Sequence, residues 1–193
     1  GKYIKNPAVV TRADTDFKGM KDDEIEKLKL KDAIQMHRDT KIAIENYVAD
    51  NNLNPVKPTI LVSCKDTTHA KSIFDYITSD EFYDGEFKEK TLQIDSTCKT
   101  DEQVEQLLTL EKPHNSIEIV IHVDMLKEGW DVSNLYTIVP LRAANALTLI
   151  EQTIGRGLRL PFGGKRTGVE KVDMLSIMMH DKFQEVVDAA KDK

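Results

Sequence analysis

Two rhythms of apolar residues alternate along this chain. The first is long. From Asp22 to about Asn52, Ile25, Leu28, Ala33, Met36, Ile42, Ala43 and Tyr47 loosely follow a 3.6-residue repeat and predict one long helix. Asp22 is placed as its N-cap, with Asp23 and Glu24 in a first turn that the helix dipole favours. Asn51-Asn52-Leu-Asn54-Pro55 ends it. The second rhythm is a series of short β-branched runs. Thr59–Ser63, Thr91–Asp95, Ile117–Val123, Leu135–Val139 and Lys171–Met178 predict strands. Between and after them, Thr67–Thr78, Asp101–Leu110, Leu147–Arg156 and Asp181–Ala190 predict helices; in the first, Ala70, Ile73, Phe74 and Ile77 share a face. Residues 80–89 form an acidic loop around Gly85, with Phe82, Tyr83 and Phe87 packed under it.

Strands alternating with helices argue βαβ units and a mainly parallel sheet. Near-continuous apolar strands fit burial between two helix layers. The expected fold is therefore α/β, a three-layer domain. Residues 1–21 read as a polar connector, 22–54 as the long helix and 55–193 as the α/β domain. No fixed-period repeat interrupts this plan.

Composition narrows the possibilities. The chain has 193 residues, of which 40% are hydrophobic, enough for a core of ordinary size. No apolar run is long enough to span a membrane. The opening Gly1-Lys-Tyr-Ile has no signal-like apolar stretch and no Met, which predicts a piece of a longer protein. Cys64 and Cys98 stand apart without metal spacing, as expected in a reducing, cytoplasmic setting. The net charge of −6 argues against polyanion binding through bulk charge, so any nucleic-acid contact must be local. Acid gathers in Asp22–Glu26 and Asp80–Glu89. Base gathers in Arg142, Arg156, Arg159, Lys165 and Arg166.

The candidate chemistry lies in that basic half. Gln152-Thr-Ile-Gly155-Arg156-Gly157-Leu-Arg159 sets two guanidinium groups at i, i+3, on one side of a helix or tight turn. Two permanent, fork-shaped cations suit a polyphosphate whose charge grows during transfer. A surface helix with two solvated arginines accounts for the same spacing. Upstream, the third strand runs into Asp124-Met-Leu-Lys-Glu128-Gly129-Trp130-Asp131. In open α/β sheets ligands sit beyond the carboxyl ends of strands, where a Gly offers bare backbone and an Asp can accept from a ribose hydroxyl. A Gly turn with an Asp cap explains this segment taken alone. The two segments in this order, separated by one strand and one helix, reinforce each other.

Together they resemble motifs V and VI in the second RecA-like domain of superfamily 2 helicases, over about residues 55–180. The resemblance implies a RecA-like α/β/α fold. It also implies that Gly129, Asp131, Gln152 and Gly155 border the nucleotide, and that Arg156 and Arg159 act as arginine fingers on ATP. Glu128 stands where many relatives have Arg, so no basic contact carries over there. Thr59-Ile-Leu-Val-Ser-Cys-Lys65 resembles motif IV, which borders nucleic acid. Ser63, Lys65 and Thr67, and Ser96 after the next strand, are the corresponding candidates for phosphate contacts; a polar strand end explains each of them singly.

Four segments resemble the restriction subunit of type III restriction-modification enzymes more narrowly. They are Tyr3-Ile-Lys-Asn-Pro7, Leu126-Lys-Glu-Gly-Trp-Asp-Val-Ser-Asn134, Ile138-Val-Pro-Leu-Arg142 and Glu151–Pro161. That resemblance implies double-stranded DNA as substrate and a modification (methyltransferase) subunit as partner. The chain has no Gly-x-x-x-x-Gly-Lys-Ser/Thr loop and no Asp-Glu pair suited to Mg2+. ATP and Mg2+ are thus expected mainly on an N-terminal RecA-like domain of the same polypeptide. A nuclease signature is also absent, so the fragment alone is expected to be inactive. Another superfamily 2 repair or remodelling helicase, or a non-motor nucleotide- or DNA-binding module, remain the alternatives. Trp130 reads as an interface plug or a base-stacking platform. The loop Pro161–Gly168 reads as a connector or a DNA-backbone contact.

Overall fold

The computed structural model describes residues 4–11, 18–123, 132–141 and 159–179. Six described strands form one sheet: β1 (Asn6–Val10), β2 (Thr59–Ser63), β3 (Thr91–Ile94), β4 (Ile119–His122), β5 (Leu135–Pro140) and β6 (Met174–Met178). Their order is β1-β6-β5-β2-β4-β3, and every neighbouring pair is parallel. The described helices are α1 (Asp22–Asn51), α2 (Thr67–Ile77) and α3 (Asp101–Leu108).

Every residue of β2, β3, β4 and β5 is buried, because both sheet faces are covered. Side-chain alternation divides the core. Ile60 and Val62 of β2 join Leu30, Ala33 and Ile34 of α1 and Ala70, Ile73 and Ile77 of α2. Leu61 points the other way, into Leu92, Ile94, Val120 and Ile138, with Val104 and Leu107 of α3 against them. The architecture is therefore three-layered, with α1 and α2 on one face and α3 on the other. Phe82 and Phe87 are buried beneath the acidic loop, with ring contacts to Tyr76 and Tyr83.

Three features differ from the sequence pattern. Asn6–Val10 lies within a stretch with no strand signature, yet it forms β1 by pairing with β6 along Asn6–Met174 to Val10–Met178. An edge strand needs only backbone pairing and one covered face, so its alternation is weak. The N-cap of α1 is Lys21, without a side-chain cap, and Asp22 begins the helix proper. The buried stripe of α1 is also rotated from the expected one: it runs Lys29, Leu30, Ala33, Ile34, His37, Thr40 and Ile44, while Ile42 is 57% exposed. Polar residues occupy three of those seven positions, which masks the stripe from an apolar count. This stripe seats α1 on the domain's own sheet, chiefly against β5, β6 and β2. Asn52 then closes α1 in a left-handed conformation, and its N–H donates to the Val48 carbonyl.

Each described helix follows the carboxyl end of one strand and leads to the amino end of another. Helix N-termini therefore sit at the carboxyl edge of the sheet and helix C-termini at the amino edge.

Candidate functional site

The carboxyl edge holds Ser63, Lys65, Thr67 and Ser96. Ser63 is the last residue of β2 and is buried; its carbonyl accepts from Leu141 N–H at 3.0 Å. Lys65 is exposed, and Thr67 is the first residue of α2. The Asp66 carboxylate caps that helix, accepting from His69 N–H at 2.8 Å. The imidazole of His69 accepts from Lys65 N–H through Nδ1 at 3.1 Å and donates through Nε2 to Glu26 at 2.9 Å. This ties the start of α2 to the start of α1. Ser96 is exposed in the turn after β3, where Asp95 Oδ1 accepts from the N–H groups of Thr97 and Cys98. Burial raises the pKa of Asp95, but these bonds, with that from Gln93, outweigh it and hold the carboxyl below its usual range. Since β4 lies between β2 and β3, the Ser63 and Ser96 strand ends stand two strand spacings apart, about 10 Å. The edge thus brings Ser63, Lys65 and Thr67 together, leaves Ser96 apart, and supplies carboxylates at the helix start where a phosphate was expected.

Arg159 lies at the opposite edge. Ile4, just before β1, forms an antiparallel bridge with it. Its guanidinium Nη2 stands 3.9 Å from Glu111 Oε1, and its side chain is 56% exposed. Glu111 also accepts from Ser133, through N–H at 3.2 Å and the hydroxyl at 3.0 Å. Ser133 and Asn134 lead into β5. Asn134 donates to the Lys57 and Leu110 carbonyls at 2.9 and 3.1 Å, and its own carbonyl accepts from Thr59. The chain segment that follows Asp131 therefore arrives at the amino edge. The chain leaves β5 at the carboxyl edge with Leu141 and stands at the amino edge by Arg159, ahead of β6, so Arg159 does not share the edge that holds Ser63 and Lys65.

Lysines support this edge. Lys5 is fully buried; its ammonium donates to the carbonyls of Ser133 and Arg159, each at 2.6 Å, and lies 4.6 Å over the Tyr136 ring. Burial lowers its pKa to about 7, opposed by Glu111 and assisted by Arg159. Lys57 donates to the carbonyl and side chain of Asn115 at 2.7 and 3.0 Å. Arg166, in the loop read as a connector or a DNA-backbone contact, donates to the Ile4 carbonyl and the Asn6 side chain. Lys5 carries no signal in the sequence, because nothing in its spacing marks a buried ammonium.

Gly129, Asp131, Gln152, Gly155 and Arg156 lie outside the described residues, as do Trp130 and the helices expected at 147–156 and 181–190. Among the described residues, no group of three or more His, Cys, Asp or Glu side chains is disposed to hold a metal ion. None of the described helices is long and apolar enough to cross a membrane.

An all-parallel six-stranded sheet with this strand order is the frame that a comparison with known families must match. The helicase conserved C-terminal domain family matches residues 40–161. The chain belongs to that family. The match runs from the middle of α1 through the Arg159 segment, so it includes both edges described above. Among solved structures, the second domain of the DEAD-box helicase Mss116p, bound to an RNA duplex, is similar to 98% of this chain at 14% identity and a TM-score of 0.52. A fragment of a putative HsdR subunit of a type I restriction enzyme from Vibrio vulnificus YJ016 is similar over 97% at 16% identity, also with a TM-score of 0.52. T4 UvsW matches 93% of the chain at 21% identity with a TM-score of 0.44. At such identities the two likenesses with a TM-score of 0.52 speak to the fold alone, a RecA-like α/β domain. The chain spans 61%, 33% and 32% of those three structures respectively. No curated protein matches it.

Proposed function

We propose that this chain is the C-terminal motor domain of an ATP-dependent DNA helicase or translocase, within a type III restriction endonuclease. A second, N-terminal RecA-like domain holds Mg-ATP. Closure of the two domains sets Arg156 and Arg159 against the phosphates, where they offset the charge that develops in the transition state. Alternating grip on double-stranded DNA converts this cycle into movement, and a methyltransferase subunit completes the assembly. The narrower assignment to type III enzymes rests on the four short segments quoted above.

The observation that carries this reading is the placement of Arg159. Its backbone is fixed by a bridge and a buried lysine, while its guanidinium is more than half exposed at the edge where Ser133 and Asn134 lead into β5. A fixed root with an accessible charged tip is what acting on a ligand held by another domain requires. The test is the full-length enzyme carrying Arg159→Ala or Arg156→Ala. DNA-stimulated ATP turnover falls by about 10³–10⁵-fold while nucleotide affinity stays close to wild type. Wild-type turnover in both variants contradicts the reading.

A further inference from the structure

We propose that Lys5 is a positioning residue for Arg159, coupling the chain that enters the domain to the arginine edge. The inference rests on the reading of Arg159 given above. Lys5 Nζ joins two segments distant in sequence, since its two carbonyl acceptors belong to Ser133 and Arg159. The contacts close a ring. Ser133 donates to Glu111, Glu111 stands beside the Arg159 guanidinium, and the Arg159 carbonyl returns to Lys5. Lys5 therefore grips the backbone of Arg159 while Glu111 faces its charged tip. On its other side the entering segment is locked into the sheet: Asn6 N–H donates to the Asp173 carbonyl at 2.8 Å, and Arg166 binds Ile4 and Asn6. Tyr136 forms a stiff floor, fully buried, with its hydroxyl donating to the Val172 carbonyl at 2.9 Å.

Burying an ammonium costs several kcal/mol, which a merely space-filling residue does not incur. Methionine fills the same shaft without that cost and leaves β1 pairing intact, because β1 pairs through backbone. What methionine does not do is hold the two carbonyls. The lysine's donors thus fix the Arg159 root relative to the residue that starts β5. A shift of the entering segment moves both together.

The experiment is a double-mutant cycle in the full-length enzyme. Lys5→Met lowers kcat for ATP by about 10²-fold, as a misplaced catalytic group does, with KM changed less than about twofold. In an Arg159→Ala background, Lys5→Met costs no further turnover, because it acts through that arginine. Lys5→Arg, which keeps the donors, restores most of kcat. Without nucleotide, amide exchange at 132–136 and 159–160 quickens about tenfold in Lys5→Met. Three outcomes overturn the proposal: unchanged kcat in Lys5→Met, an equal loss in both backgrounds, or loss of the folded enzyme, which assigns Lys5 to stability alone. If Arg159→Ala itself keeps wild-type turnover, the arginine reading fails. If Arg159→Ala loses turnover and Lys5→Met does not, this inference alone fails.

Discussion

The two edges of the sheet carry opposite polar chemistry. At the carboxyl edge, anionic side chains accept from backbone N–H groups: Asp66 from His69, and Asp95 from Thr97 and Cys98. Acids also fill the first turns of α1 (Asp22, Asp23, Glu24) and α3 (Asp101, Glu102). At the amino edge, donors meet carbonyls instead: Lys5 on Ser133 and Arg159, Lys57 on Asn115, Asn134 on Lys57 and Leu110, Arg166 on Ile4. The cause lies in the fold. Parallel strands connected by helices put all helix N-termini at one edge and all helix C-termini at the other. Orphan N–H groups and positive dipole ends recruit carboxylates; at the amino edge the acceptors are carbonyls of loops and strand entries, which side-chain donors satisfy.

This contrast can be broken in stages. The largest change, short of the arginine itself, is at Glu118, the anion buried at the amino end of β4. It pairs with His37 and Lys41 at 2.8 Å and Lys90 at 3.3 Å. Burial raises its pKa, but the bonds and charges of His37 and Lys41 prevail and hold the carboxyl far below its usual range. Glu118→Gln leaves these partners without their counter-charge and destabilises the domain by about 3 kcal/mol, read as a lowered melting temperature. The sign with pH follows from a depressed folded-state pKa. The stabilisation is fully present above the ordinary glutamate value of 4.5 and is lost as pH falls below it. From pH 7 to pH 3 the gap between the melts of wild type and Glu118→Gln therefore narrows without closing, since the loss completes only at the much lower folded-state value; parallel curves contradict this assignment.

Next is Asn134→Ala, which strands the buried Lys57 and Leu110 carbonyls. It costs about 2 kcal/mol in urea melts, with little change in slope. The smallest effect belongs to the carboxyl edge. Asp66→Ala removes the cap of α2 at a cost of about 1 kcal/mol. It also removes a carboxylate from the helix start, so DNA half-saturation moves to lower concentration. If Asp66→Ala instead weakens DNA stimulation, acid at this edge does not oppose nucleic acid.

The fold was legible where burial is two-sided. Thr59–Ser63 and Leu135–Val139 carry consecutive apolar residues, Ile60–Val62 and Ile138–Val139, because helices cover both faces, and both are strands in the structure. Parallelism followed from helix alternation. Elements whose stability comes from elsewhere stayed hidden. β1 is held by backbone pairing and by Arg166 rather than by an apolar pattern. The α1 stripe includes Lys29, whose ammonium binds the Pro140 carbonyl, and His37, which binds Glu118. Partnered polar groups occupy core positions that a hydropathy count assigns to solvent. At the candidate site, residue type and spacing singled out the arginine pair, of which Arg159 lies within the described residues. The edge at which Arg159 stands was not legible, because that depends on how the chain returns between the carboxyl end of β5 and the start of β6.

The most direct test compares the two edges in one assay. In the full-length enzyme, DNA-stimulated ATP turnover is measured for Arg159→Ala and Lys65→Ala across DNA and salt concentrations. The account predicts that Arg159→Ala loses turnover by about 10³-fold or more at unchanged DNA affinity. Lys65→Ala keeps turnover but weakens DNA binding, with the salt slope reduced by about 1. Lost turnover in Lys65→Ala beside wild-type turnover in Arg159→Ala contradicts it.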